Sequence, residues 1–393
     1  MNVLWLCSWY PNKIKPYDGD FIQRHAEAAS LYNKIQIIHV VKDDLKKMRN
    51  PITCETRLNG DLTETIIYYK SLTTGIAIID QILSELKARK LFKEAVRKYI
   101  ATYPDLQLVH LHVVLKAGAI ALWIKKKFGI PFVVSEHWTG YLPNALPNLN
   151  QLSTVKKRLM REVFAEATYA TFVSRFLADA VKLHYEYGPS QIIPNVVNTT
   201  IFQYKPGISN KAKTRFLHVS SLKYQKNIEQ VLSALKFLKT DTSNFTVEMF
   251  VPSPEKLYDL VLQHDLSEFI IIRAEGSQEK IAESMQHADA LISYSRYETF
   301  GCIVIEANAC GKPAILSALE VYKEYSVEYK TALFVQIDNP RALADTMLDF
   351  IANKDIFNSQ EISTSTINRF SYKIIGAQFD LLYNQLSGKK NLN

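Results

Sequence analysis

The chain has 393 residues, with 47 Lys+Arg against 39 Asp+Glu for a net charge of +8, and 47% of it is hydrophobic. That length exceeds one compact core and suits two domains, and the balance of residue types is that of a globular, soluble chain. No stretch is long and apolar enough to predict a membrane-spanning helix.

The apolar start, Met1 to Cys7, lacks a basic segment and is too short for a signal peptide, so it reads as a first buried strand. Cys7, Cys54, Cys302 and Cys310 stand alone, without paired or Cys/His spacing. They read as reduced structural thiols of a cytosolic protein, and no metal site is expected.

The charge is unevenly divided. Residues 1–200 hold 26 Lys+Arg against 17 Asp+Glu, or +9, and residues 201–393 hold 21 against 22, or −1. The excess is densest from Lys87 to Lys98, on a predicted helix that also carries Ile79, Leu83, Leu86, Val96 and Ile100, with Lys125–Lys127 and Lys156–Arg161 adding to it. A solvated helix face explains this pattern, and so does a surface for anionic lipid head groups or a phosphorylated acceptor. Nucleic acid is not expected, because no recognisable binding module accompanies the charge.

In chain order, strands are predicted at Val3–Ser8, Lys34–Val41, Thr65–Tyr69, Leu106–His112, Pro131–Glu136 and Tyr169–Val173. Helical periodicity falls at about 20–32, 79–100, 116–128, 153–166 and 175–186. After the linker chemistry of Lys205–Asn210 the alternation restarts with strand Arg215–Ser220 and helix 227–238 and runs to a helix at 340–352. An amphipathic stretch at 372–386 closes the chain. Strands alternating with such helices imply parallel βαβ units. The expectation is α/β: two Rossmann-like, doubly wound domains facing across a cleft, with the ligand outside the carboxyl ends of the strands. Residues 1–200 would form the first domain, completed by a C-terminal helix at about 368–393, and residues 201–367 the second.

The strongest local signal is Tyr294-Ser295-Arg296-Tyr297-Glu298-Thr299-Phe300-Gly301-Cys302-Ile303-Val304-Ile305-Glu306, a buried strand running through a loop into a helix. Such a junction presents free backbone N–H groups and a positive dipole end to an anion. Gly301 admits a diphosphate close to the backbone. Glu306, in the first turns, can accept both hydroxyls of a ribose, and Glu298 in the loop can accept sugar hydroxyls.

The spacing E-x-F-G-x-x-x-x-E resembles the signature of the retaining glycosyltransferase family 4, the group 1 transferases of GT-B fold. Ile193-Pro194-Asn195 at the junction, Lys226-Asn227 and the Ala288-Asp289-Ala290 lead-in agree with it. The resemblance implies that Glu306 holds the ribose and Glu298 the transferred sugar, with Phe300 in the motif. The amides of Gly301, Cys302 and Ile303 would hold the diphosphate, and Lys226 would neutralise it as it leaves. It also implies an early loop at Gly19 over donor and acceptor, and His137 near the transferred sugar. Glu136 is a weaker candidate. Trp138 and Tyr141 would stack on a sugar or simply pack. His110 and His112 have metal-compatible spacing but read as core or cleft lining.

Three departures stand out. Ser220-Ser221-Leu222 replaces the family's Gly-Arg-Leu, leaving Lys223 or Arg296 to stand in for an arginine; Glu324 alone remains of a Gly-Gly-x-x-Glu; and Asn198 replaces an aspartate.

The resemblance therefore implies a retaining transferase. It would move a sugar from a nucleotide diphosphate sugar to a glycan or lipid-linked acceptor in cell-surface polysaccharide synthesis. It would need no cofactor and no obligatory metal, and would be cytoplasmic or peripheral on the inner membrane face. Another GT-B enzyme, such as an epimerase or phosphorylase, and a non-catalytic nucleotide-sugar-binding subunit remain the alternatives.

Overall fold

Residues 1–71, 73–207 and 213–388 are described by a computed structural model. The first sheet is built as β1 (Asn2–Cys7), α1 (Asp20–Ser30), β2 (Lys34–Lys42), β3 (Ile52–Asn59), β4 (Leu62–Tyr69) and α2 (Ala77–Thr102). It continues with β5 (Leu108–His112), α3 (Val114–Phe128), β6 (Phe132–Glu136), α4 (Thr154–Glu166), β7 (Tyr169–Phe172), α5 (Arg175–Lys182) and β8 (Ser190–Ile192). Its strand order is β3-β4-β2-β1-β5-β6-β7-β8, parallel throughout except for the β3–β4 pair. β1, β5 and β6 are buried almost along their whole length, as near-continuous apolar strands must be when helices cover both faces.

The second sheet is built as β9 (Thr214–Val219), α6 (Ile228–Asp241), β10 (Phe245–Val251), α7 (Pro254–Gln263), β11 (Ile270–Ala274), α8 (Gln278–His287), β12 (Ala290–Ser293) and α9 (Cys302–Ala309). β13 (Ala314–Ser317), α10 (Glu320–Lys323), β14 (Ala332–Val335) and α11 (Pro340–Asn353) follow. The order β11-β10-β9-β12-β13-β14 is the doubly wound arrangement whose switch point lies between β9 and β12. Asn339 caps α11 by accepting from Ala342 N, with Pro340 in the first turn, as the Asn-Pro pair leads one to expect.

Two helices close the chain. α12 (Ser359–Phe370) packs on α9, and α13 (Tyr372–Leu386) crosses back to pack along α1. At the crossing Val197 N donates to Phe370 O. On the far side the Tyr372 hydroxyl donates to Glu27 at 2.6 Å, and the Tyr383 hydroxyl meets His110 Nδ1 at 2.6 Å.

Three elements differ from expectation. β3 and the start of β4 form a hairpin around Gly60-Asp61, a turn pair that marks hairpins. β3 is polar and mostly exposed, so it offers no apolar run to read. α12 and the single turn α10 were also not expected; α12 carries Ser359, Ser363, Ser365 and two threonines, which dilute its apolar face. Residues 208–210 of the expected linker and 389–393 of the expected last helix lie outside the described residues. Among the described residues no helix is long and apolar enough to cross a membrane.

Candidate functional site

A cleft of about 610 Å³ runs between the carboxyl ends of the two sheets. Gly19, Arg24 and His137 line it from the first domain, and Lys226, Glu298, Phe300, Gly301, Cys302, Ile303 and Glu306 from the second. The residues singled out for donor binding, which run from Gly19 to Glu306 in the chain, are thus brought to one cavity.

β12 ends at Ser293 and α9 begins at Cys302, so the loop between them is presented at the cleft. Gly301 is the N-cap of α9, with φ +90° and no side chain capping the turn. A Cβ there would stand 2.6 Å from Tyr322 Cε1, so both the backbone angle and the ring demand glycine. Val304 N donates to Gly301 O at 3.0 Å, and the residues before it at the start of α9, Cys302 and Ile303, line the cleft where amides have no intrahelical acceptor. The Phe300 ring stacks on Tyr325 at 4.8 Å and its carbonyl accepts the Tyr325 hydroxyl, which fixes the loop.

Glu298 is buried. Its Oε1 accepts from Lys226 Nζ at 2.6 Å and from Ser295 Oγ at 3.0 Å. Lys226 ends a single helical turn, Tyr224–Lys226, and the left-handed Asn227 begins α6 immediately after it. Paired this way, Glu298 is tied to a cation and is poorly placed to act as a free nucleophile.

Glu306 lies on the first domain's side of α9 and accepts from Arg24 Nη1, while Asp20 accepts from Arg24 Nη2 at 2.9 Å. Burial pushes the Glu306 carboxyl up, and the Arg24 guanidinium pulls it back toward the charged form. Burial also pushes the Cys302 thiol up to about 12, so it is a wall of the site and no nucleophile. Cys7 and Cys310 are buried, whereas Cys54 is exposed on β3.

His137 directly follows β6 and has no partner for either ring nitrogen. Its neighbour Glu136 turns away: it is fully buried and accepts from the amides of His137 and Trp138 at 2.8 and 3.0 Å and from the Tyr141 hydroxyl at 3.0 Å. Glu136 and Tyr141 thus hold the chain that carries His137, and Tyr141 does not reach the cleft. Trp138 lines the cleft.

His112, read from its spacing with His110 as core or cleft lining, has ligand-type neighbours from other segments instead. Nitrogens of His25, His112 and His137 lie within 4.8 Å of one another, the group among the described residues able to hold a metal ion. Burial lowers all three, His25 to about 4, so the rings are neutral and their lone pairs available. His25 Nε2 is fixed 2.9 Å from Pro194 O. His110 is excluded from the group, since Ser135 and Tyr383 engage its two nitrogens.

Of the two stand-ins for the missing arginine, Lys223 lines the cleft. Arg296 does not: it donates to Tyr224 O at 2.7 Å, stacks on the Tyr224 ring and pairs with Asp338. Glu324 has a structural task, accepting from the Arg175 and Phe176 amides at 2.9 and 2.6 Å and so capping α5 of the opposite domain. The Ser174 hydroxyl donates to Thr299 O at 2.7 Å, and the Thr299 hydroxyl to His137 O at 3.2 Å. These contacts seat the Glu298–Gly301 loop on the first domain. None was legible beforehand, although the Asp20/Arg24 spacing of four on a helix was a signal for the pair they form.

Residues 202–366 match the family described as glycosyl transferases group 1, and residues 73–201 the one described as glycosyltransferase family 4. Over 300 residues the chain is 22% identical to N-acetyl-alpha-D-glucosaminyl L-malate synthase of Bacillus anthracis, spanning 72% of this chain and 76% of that one. Its fold is similar to that of sucrose-phosphate synthase from Thermosynechococcus elongatus, with a TM-score of 0.79, 17% identity, and 99% of this chain and 100% of the other covered. It is also similar to Anabaena Alr3699/HepE, solved with UDP, with a TM-score of 0.72, 15% identity, and 98% and 100% coverage. With adjoining matches across 73–366 and two Rossmann-like domains closing on one cleft, the chain belongs to the group 1, family 4 glycosyltransferases and has the GT-B fold.

Proposed function

We propose that the protein moves a sugar, with retention of anomeric configuration, from a nucleoside diphosphate sugar to a glycan or lipid-linked acceptor in cell-surface polysaccharide synthesis. The observation that carries this reading is the convergence of Lys226, Glu298, Glu306 and the uncapped start of α9 on one cleft.

In this reading the ribose hydroxyls bind Glu306, the diphosphate lies on the amides of Gly301, Cys302 and Ile303, and the sugar hydroxyls reach Glu298. Lys226 meets the charge that develops on the departing diphosphate. A fixed cation aimed there contributes about 3–4 kcal/mol by analogy with other oxyanion sites. The acceptor hydroxyl attacks on the face the diphosphate leaves, and a phosphate oxygen takes its proton. The Lys226–Glu298 pair supports a path without a covalent intermediate, because a retaining double displacement needs a free carboxylate nucleophile. Gly19 covers the donor, and His137 faces the transferred sugar. No metal or other cofactor has a part in these steps.

The UDP held by the Anabaena protein makes a uridine nucleotide the first to test. Melting curves with UDP-, GDP-, ADP- and TDP-sugars should show stabilisation by one class, about 2.7 kcal/mol at a hundred times its dissociation constant. The same donor should lose its sugar slowly in buffer. Binding without any sugar loss or transfer would favour a non-catalytic nucleotide-sugar subunit.

A further inference from the structure

A surface outside the cleft remains unused. β4 ends at Tyr69, and the chain then passes through the exposed segment 73–79 into α2. Ile78, Ile82 and Leu86 repeat every four residues along the first turns of α2, and are 73%, 53% and 56% exposed. Ile76 and Ile79 are exposed beside them. The inward face of α2 begins to be covered at Ser84 and then holds Leu91, Phe92 and Val96. On the side that meets solvent the first three turns are therefore mostly apolar, interrupted by Gln81 and Glu85. Leu86, which the sequence would place on a packed face, lies on this outer side.

The position of this stripe matters more than its size. β1, β2 and β4 are parallel, so the segment after β4 stands at the same end of the sheet as the loop after β1 that carries Gly19 into the cleft. Cations band the ground between them. Lys87 Nζ donates to Lys70 O at 2.7 Å, Lys70 Nζ to Arg49 O at 3.0 Å, and Lys47 Nζ to Lys13 O at 3.0 Å. These lysines bond to backbone carbonyls and keep their charge for an outside partner. Of the nearby carboxylates, Asp80 is engaged by Thr74 and Glu55 by Lys13; Glu85, exposed on α2 between Ile82 and Leu86, accepts from Gln81 at 3.1 Å and lies 3.9 Å from Lys156, and Asp44 is exposed near Lys47.

We infer that residues 76–86 and the adjoining band of Lys47, Arg49, Lys70 and Lys87 dock the protein on an anionic lipid bilayer. The isoleucines enter the acyl boundary and the cations meet the head groups. An apolar stripe beside the band of Lys47, Arg49, Lys70 and Lys87 fits this surface; an acidic protein would leave the isoleucines bare, and a second copy would bring the two bands together. Docked this way, the mouth of the cleft faces the interface, where a lipid-linked acceptor presents its sugar. The inference rests on the transferase reading for that acceptor only.

Cosedimentation with phosphatidylcholine vesicles, with and without phosphatidylglycerol, tests it. The protein should pellet with the anionic vesicles and much less with the neutral ones. Ile78→Ser/Ile82→Ser and Lys70→Gln/Lys87→Gln should each weaken binding about tenfold or more, with unchanged melting temperature, since one buried isoleucine or two surface cations contribute at least that factor. No pelleting, or equal pelleting by either variant, would overturn the inference. So would a vesicle-free dimer that the serine substitutions dissolve. Stabilisation by nucleotide sugar in vesicle-free buffer is read on the same samples. Docking can therefore fail while the donor reading stands, or the reverse.

Discussion

Arg24 of α1 and Glu306 of α9 form an ion pair across the domain boundary, with side-chain exposures of 6% and 9%. Two charges withdrawn from water this far are tolerable only together, and Asp20 secures the second arm of the guanidinium. The pair locks the donor-side helix to the first domain. It also engages one oxygen of the carboxylate proposed to hold the ribose, so donor binding and Arg24 must share Glu306.

Replacing one partner should therefore cost more than replacing both. Arg24→Met and Glu306→Met should each lose about 3–5 kcal/mol in urea unfolding, and the double variant should recover much of it. Additive losses would show that the two residues are not coupled. In the donor melting assay Glu306→Met should lose the nucleotide shift.

Lys226→Met should lower the turnover number about 10²–10³-fold, because the cation acts on charge that appears as the diphosphate leaves. Steady-state kinetics with the donor identified by melting provide the check. A rise in KM at constant turnover would move Lys226 to donor binding alone.

Gly301→Ala places a methyl group against Tyr322 at a φ of +90°. Strain of about 1–3 kcal/mol is expected, seen as a lower urea midpoint. The amides of the α9 turn would shift with it, so the donor-induced stabilisation should shrink as well. A variant with native stability and native donor response would remove Gly301 from the site.

His218 sits in β9, engaged by Ile292 O at 3.0 Å and Ser220 Oγ at 2.7 Å, and burial lowers it to about 4. The unfolded chain, with an ordinary histidine near 6.5, binds this proton first as pH falls. Stability from the neutral ring is thus complete above about 6.5 and drains toward 4. Compared with His218→Gln, the native protein should lose about 1.4 kcal/mol per pH unit in that window. Urea unfolding of both proteins from pH 7 to 4 measures the difference, and a constant difference would show that the ring is charged when folded. A comparison within one pair of proteins is needed, because Glu136 and Glu306, raised by burial, act in the opposite sense.

The architecture was legible in the chain alone, because two periodicities alternate along it. Strands such as Val3–Cys7 are apolar throughout, and the intervening segments repeat at helical spacing, a pattern that only covered parallel sheets satisfy. The Glu298–Glu306 loop was legible too, since Glu298, Gly301 and Glu306 lie close together in the chain and their spacing survives translation into one strand–loop–helix unit. β3 escaped notice because a polar edge strand carries no burial signal. Relationships between distant segments, by contrast, arise only from packing. The pairing of Arg24 with Glu306 and of Lys226 with Glu298 depends on which strand ends share a cleft. So does the meeting of His25, His112 and His137, and the capping of α5 by Glu324. Local pattern specifies which residues are buried, and charge and hydrogen-bond partners are then set by packing between elements distant in the chain. Ile78 and Ile82 teach the same lesson in reverse: their spacing fits a packed helix face, and only the position of α2 leaves them facing outward.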